Sequence, residues 1–159
     1  MEQQKAYSDS IEKIRKGGMV IGIVCVITSL FYLLHALSPI IQKTSYLGNP
    51  GGLSAMIRIS VTGWISFVIM LCAAAIFFRI SRSGKPFANG NILIMRLIGV
   101  MFLMNGVAPA IAAAASMKNP FIFFSMVNPS GFVEGMLFLF VAQAMNYGAI
   151  LQTESDETL

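Results

Sequence analysis

The residues able to do chemistry in this 159-residue chain are few: one histidine, His35, two cysteines, Cys25 and Cys72, and seven carboxylates. A metal centre needs three or four nitrogen, sulfur or oxygen ligands at fixed spacing, and His35 has no second imidazole or thiolate at such a spacing. No H-E-x-x-H, no G-x-S-x-G and no paired-aspartate motif occurs, so no nucleophile stands beside a base and no cofactor or enzymatic activity is expected. The chemistry that remains belongs to polar side chains embedded in apolar sequence, where each is costly and needs a reason. Glu134, between Gly131 and Gly135, is the leading candidate for a ligand or proton role, with His35, Lys118 or Arg58 as partners that it could reach. His35, four residues before Pro39, is a second candidate. Asn105 and Gln143 complete the candidate ligand or proton site; they fall near the middles of apolar runs, where side-chain amides also bond across helix interfaces for roughly 0.6–2 kcal/mol. Arg96 snorkels to the headgroups, and the two cysteines read as small apolar packing residues on a reducing face.

The elements that hold these residues follow from composition. The chain is 56% hydrophobic and 11% charged, with a mean hydropathy of +0.74. A soluble domain averages about 25% charged residues, so an ordinary soluble fold is excluded. Runs without a formal charge extend over Met19 to Gln42, Ile59 to Phe78, Leu97 to Met117 and Gly135 to Thr153. Each reaches the roughly 20 residues that a helix needs to cross the bilayer core. The first run is too long for the apolar part of a cleaved signal peptide and is kept as a span. The expected fold is therefore an all-α membrane protein of four transmembrane helices, about 19–41, 59–80, 92–117 and 131–152, in an antiparallel bundle.

Basic residues orient these spans, because Lys and Arg are retained on the cytoplasmic side. Lys5, Lys13, Arg15 and Lys16 precede span 1, and Arg79, Arg82, Lys85 and Arg96 surround the loop between spans 2 and 3. Only Lys43, Arg58 and Lys118 lie opposite. Both termini and the central loop are thus expected in the cytoplasm, and the net charge of +4 is a topology signal. It is no nucleic-acid footprint, since no basic patch is interleaved with aromatics. Residues 1–18 read as a cytoplasmic interfacial segment with a helix start at Asp9-x-x-Glu12, 19–152 as the membrane domain and 153–159 as an acidic cytoplasmic tail. Residues 43–58 read as a flexible loop around Gly48-Asn49-Pro50-Gly51-Gly52, and the apolar segment at Asn119 to Phe124 as interfacial. In the central loop, Gly and Pro break span 2 and the asparagines Asn89 and Asn91 are placed to cap span 3. Gly18-x3-Gly22 and Gly131-x3-Gly135 match the spacing of close helix contacts, and Pro109 should kink span 3.

The loop Gly84-Lys85-Pro86-Phe87 with Asn89 and Asn91, and the ending Gly148-x-x-Leu151-Gln152-x-Glu154-x-Asp156-x-Thr158, carry a resemblance. Over nearly its whole length the chain resembles the bacterial domain-of-unknown-function family 2975, small proteins with four membrane helices. It departs in stopping at Leu159, where the family pattern continues with a further apolar residue or two. The resemblance implies an inner-membrane protein with a helix-turn-helix regulator as a cytoplasmic partner, and it assigns no catalytic residue. Lys85, Pro86 and Phe87 with Glu154 and Asp156 then form the candidate cytoplasmic docking face. The expected function is non-enzymatic sensing or signalling through that face, with the bilayer, the regulator and further copies of the chain as partners. The alternative is an oligomeric transporter, channel or protection protein for a small molecule or peptide.

Overall fold

The computed structural model describes residues 2–48, 52–117 and 121–157. They form six helices: α1 (Glu2–Ile41), α2 (Lys43–Leu47), α3 (Gly52–Ser83), α4 (Asn89–Met117), α5 (Phe121–Met126) and α6 (Pro129–Glu157), with no strand among the described residues. The four long helices α1, α3, α4 and α6 are long and apolar enough to cross a membrane, as a multi-pass membrane protein requires. A helix is the form in which an apolar run can do so, because every backbone N–H and C=O is satisfied within the segment.

Helix ends depart from the sequence expectations. α1 is continuous from Glu2, so Asp9 does not cap it. Glu12 instead pairs with Lys16 one turn later at 2.7 Å on an exposed surface. The hydrogen bond and charge of Lys16 hold the Glu12 carboxyl below the usual carboxylate range and raise the Lys16 ammonium. The pair is therefore intact between those two ranges, lost as pH falls through the first and lost again as pH rises through the second. α3 begins at Gly52 and α2 occupies 43–47, so the expected flexible loop is largely helical. Its turn at Asn49 to Gly51, like Lys118 to Pro120, lies outside the described residues. α6 starts on a cap that sequence inspection missed: the Asn128 Oδ1 accepts from the Ser130 N–H (3.3 Å) and hydroxyl (2.8 Å), ahead of Pro129 at the first helical position.

The loop between α3 and α4 is built residue by residue. Gly84 adopts φ +67°, which glycine takes without a Cβ penalty, and its N–H donates to the Ile80 carbonyl at 2.7 Å. Asn91 does not cap α4 as expected. The Asn91 and Ile92 N–H groups go to the Ala88 carbonyl, while the Asn91 side chain donates to the Lys85 (3.3 Å) and Pro86 (3.2 Å) carbonyls. That side chain is 1% exposed, so Asn91→Ala leaves two carbonyls without a donor. We expect a loss of about 1–3 kcal/mol and faster hydrogen exchange at amides 84–88, measured by mass spectrometry in detergent.

Packing follows chain order. The start of α1 lies beside the end of α3: a Cβ at Gly18 would stand 3.0 Å from the Phe77 carbonyl oxygen, and one at Gly22 3.0 Å from the Phe78 ring. Farther along, Gly63 faces Ala36, whose Cα would be 2.7 Å from such a Cβ. Ile69, Ile76 and Ile98 join α3 to α4, with Cys72, Phe102 and Phe138 against them. α4 meets α6 where Gly106 faces Gly131 and Gly99 faces Gly135. Both glycine pairs noted in the sequence thus lie at helix contacts, while Gly99 and Gly106, which face the second pair, and the separate contact of Gly63 with Ala36 were not anticipated. Among the described residues α1 makes no contact with α6, so the bundle is open between its first and last helices. Cys25 and Cys72 are free thiols, each half-buried.

Candidate functional site

Two of the long helices have a proline in their interior, and each of these stands four residues after a polar side chain: Pro39 after His35 in α1, Pro109 after Asn105 in α4. Proline has no N–H, so the carbonyl four residues earlier loses its helical donor. For His35 the Ser38 hydroxyl replaces it at 2.9 Å. Asn105 is treated differently. Its side chain is 8% exposed and its Oδ1 is buried with no hydrogen-bond partner. An orphaned buried amide oxygen costs about 1–3 kcal/mol, so it needs an explanation.

Asn105 lines a cleft of about 350 Å³ at the end of the molecule remote from the loop 84–88. His35 contributes from α1, Arg58 and Thr62 from α3, Pro109 from α4 and Asn128 from the turn before α6. The size is at the lower end of small-molecule sites. Its chemistry is one cation, Arg58, an imidazole, the two hydroxyls of Thr62 and Ser125 and two amides, which suits a polar molecule able to donate to Asn105 and to place negative charge against Arg58. Among the described residues no group of three His, Cys, Asp or Glu side chains is gathered to hold a metal.

The sequence candidates separate. His35 and Asn105 come together at the cleft, joined by Arg58. Glu134 is half-buried on α6, outside the cleft, and makes no ion pair with His35 or Arg58; Lys118 lies outside the described residues. Gln143 is exposed and bonds across no helix interface, because α6 turns Gly131, Gly135 and Ala142 inward and leaves Gln143 on the outer surface. Arg58, Thr62 and Asn128 were not anticipated as a group, although the matched His-x3-Pro and Asn-x3-Pro spacings were visible.

The docking candidates lie at the other end. Phe87 covers Gly148 of α6, where a Cβ would be 3.3 Å from its ring, and Gly84 sits beside Ile11 and Arg15 of α1. The loop thus touches both outer helices. Lys85 and Phe87 border a depression of about 250 Å³ shared with Gln152 and Thr153, and Glu154 is exposed next to it. Pro86 is half-buried within the loop, and Asp156 falls in the last turn of α6. The chain matches no family model, no curated protein and no solved structure.

Proposed function

We propose that the chain is a non-enzymatic membrane protein that binds a small polar ligand in the cleft at Asn105 and reports its presence to a cytoplasmic partner at the opposite end. In this reading the four long helices run antiparallel across a bacterial inner membrane, with both termini and the loop 84–88 inside, an orientation that the distribution of basic residues supports. The observation that carries it is the buried Asn105 Oδ1 without a hydrogen-bond partner, on a residue that lines a polar cleft. Pro109 lines that cleft and Pro39 follows one turn after its His35, and the two prolines weaken α4 and α1 near where a ligand would push or pull them. At the far end the exposed Lys85 and Glu154 carry opposite charges suited to a protein partner, with Asp156 following in the sequence, and the resemblance to family 2975 makes a helix-turn-helix regulator the partner of choice.

The test uses the regulator encoded nearest to the chain and full-length protein in membranes. Reversing Lys85, Glu154 and Asp156 together (Lys85→Glu, Glu154→Lys, Asp156→Lys) abolishes its capture. Asn105→Leu, which touches neither segment, changes the captured amount by at least about fivefold, the lower end of ordinary coupling between sites. Equal capture by wild type and both variants overturns the reading. Phe87 is left alone in this test because its ring packs on Gly148 and its removal would disturb the fold.

A further inference from the structure

The outward face of α6 has a feature that lipid alone does not accommodate. Gln143 stands at the middle of the membrane-spanning part of this helix, exposed, with no hydrogen bond to any described residue. A primary amide brings two N–H donors and a carbonyl acceptor, and hydrocarbon satisfies none of them. Snorkelling does not relieve it, because the side chain is short and water is about half a bilayer away in both directions. Gln143 also belongs to a stripe in which Val133, Met136, Phe140, Gln143, Tyr147 and Ile150 follow one another at spacings of three and four. The five apolar or aromatic members are each about half exposed or more. Alternating spacings of three and four give a mean period of 3.5, which keeps a seam on one partner helix over several turns.

We propose that this stripe is the self-association face of the protein, occupied by α6 of a second copy, with the two Gln143 amides bonded to each other at its centre. Copies inserted in the same orientation bring their α6 helices together in parallel. A two-fold axis along the membrane normal then places each stripe residue opposite itself. Under that symmetry each Gln143 N–H donates to the carbonyl oxygen of its counterpart, so one residue type satisfies both needs, as a different partner helix would not without a matching amide at the same depth. A single polar residue within an otherwise apolar seam sets register and stoichiometry, which suits a dimer. The inner face of α6, at Gly131 and Gly135, stays on α4, so dimerisation asks nothing of the fold and is independent of the cleft at Asn105.

The full chain, labelled in separate batches with donor and acceptor dyes at its C-terminal end, is mixed in phosphatidylethanolamine and phosphatidylglycerol vesicles and diluted with lipid. Energy transfer for the wild type persists above the random-proximity level, Gln143→Leu moves the dilution midpoint by about three- to thirtyfold towards higher protein, and Gln143→Asn stays near wild type. A second measurement keeps Gln143 in place: with Cys25 and Cys72 replaced by alanine, Phe140→Cys cross-links to itself and Val141→Cys, turned one residue away, does not. Random-level transfer for the wild type, an unshifted midpoint for Gln143→Leu, or equal cross-linking at 140 and 141 overturns the proposal.

Discussion

Gly131→Ile will be among the most damaging single changes in the protein, lowering its resistance to unfolding in sodium dodecyl sulfate by about 3 kcal/mol, at the upper end of the usual cost of overpacking. A Cβ at Gly131 would lie 2.8 Å from the Gly106 nitrogen, 2.9 Å from the Gly106 Cα and 2.9 Å from the Phe102 carbonyl oxygen. All three are backbone atoms of α4, so no side-chain rotation relieves the contact and the helices must part. Parting them breaks the hydrogen bond from the Asn128 N–H to the Gly106 carbonyl (3.0 Å) and unstacks Phe102 from Phe138, whose centroids are 5.1 Å apart. In a membrane the loss is not softened by the hydrophobic effect, because lipid is as apolar as the surface it replaces, and close packing is the main attraction between helices. Gly17 is the matched control. Nothing stands within 4 Å of its Cβ position, so Gly17→Ala leaves stability unchanged or slightly raised through helix propensity. Equal unfolding of Gly131→Ile and wild type would mean that α4 and α6 do not meet through these glycines.

The second large effect has the opposite sign. Asn105→Leu keeps nearly the same side-chain size while removing an amide oxygen that is buried without a partner, and the variant in detergent should gain about 1–3 kcal/mol over wild type. Most substitutions in a packed region destabilise, so a gain here is diagnostic. The same change removes the hydrogen-bonding group that a ligand in the cleft would meet. Unfolding of each protein is therefore compared in native membranes and after purification into lipid alone. Native membranes stabilise the wild type by the free energy of the bound ligand, which grows with its concentration over its dissociation constant. They do nothing for the variant. A destabilised Asn105→Leu, with native membranes protecting both proteins alike, would make Asn105 a structural residue and the cleft a passive space.

The spans were legible because a charge-free run of about 20 residues has few other uses. Their ends were not. Outside the hydrocarbon, helix extension meets no barrier that composition reveals, so α1 continues back to Glu2 and α3 starts at Gly52 through sequence that reads as loop. The two mid-run amides show the limit more sharply. Asn105 and Gln143 have the same chemistry and similar depth, and the sequence assigned both to helix interfaces. Which side each takes depends on the rotation of its helix, set by the glycine contacts: Ala142 is inside, and Gln143, one residue and 100° further round, is outside. Gly18 and Gly131 could be noted as small residues, yet that Gly131 faces Gly106 needs both helices placed. The cleft is less accessible still, since it draws on α1, α3, α4 and the turn after α5 at once.

The open order of the helices has a mechanical meaning. Three interfaces, α1 with α3, α3 with α4 and α4 with α6, are arranged in series, and among the described residues nothing connects the first helix to the last except the turn at 84–88. A closed ring shares a load between two routes; a series of links does not. Its cooperativity is that of a short linear array, in which each interface fails by itself and failure begins at the ends. α6, with 11% of its apolar window covered inside one chain, is the terminal link with the least to hold it. Closing a second copy over that helix would convert a free end into an interior position and lengthen the array from three joints to seven, three from each copy and one between them.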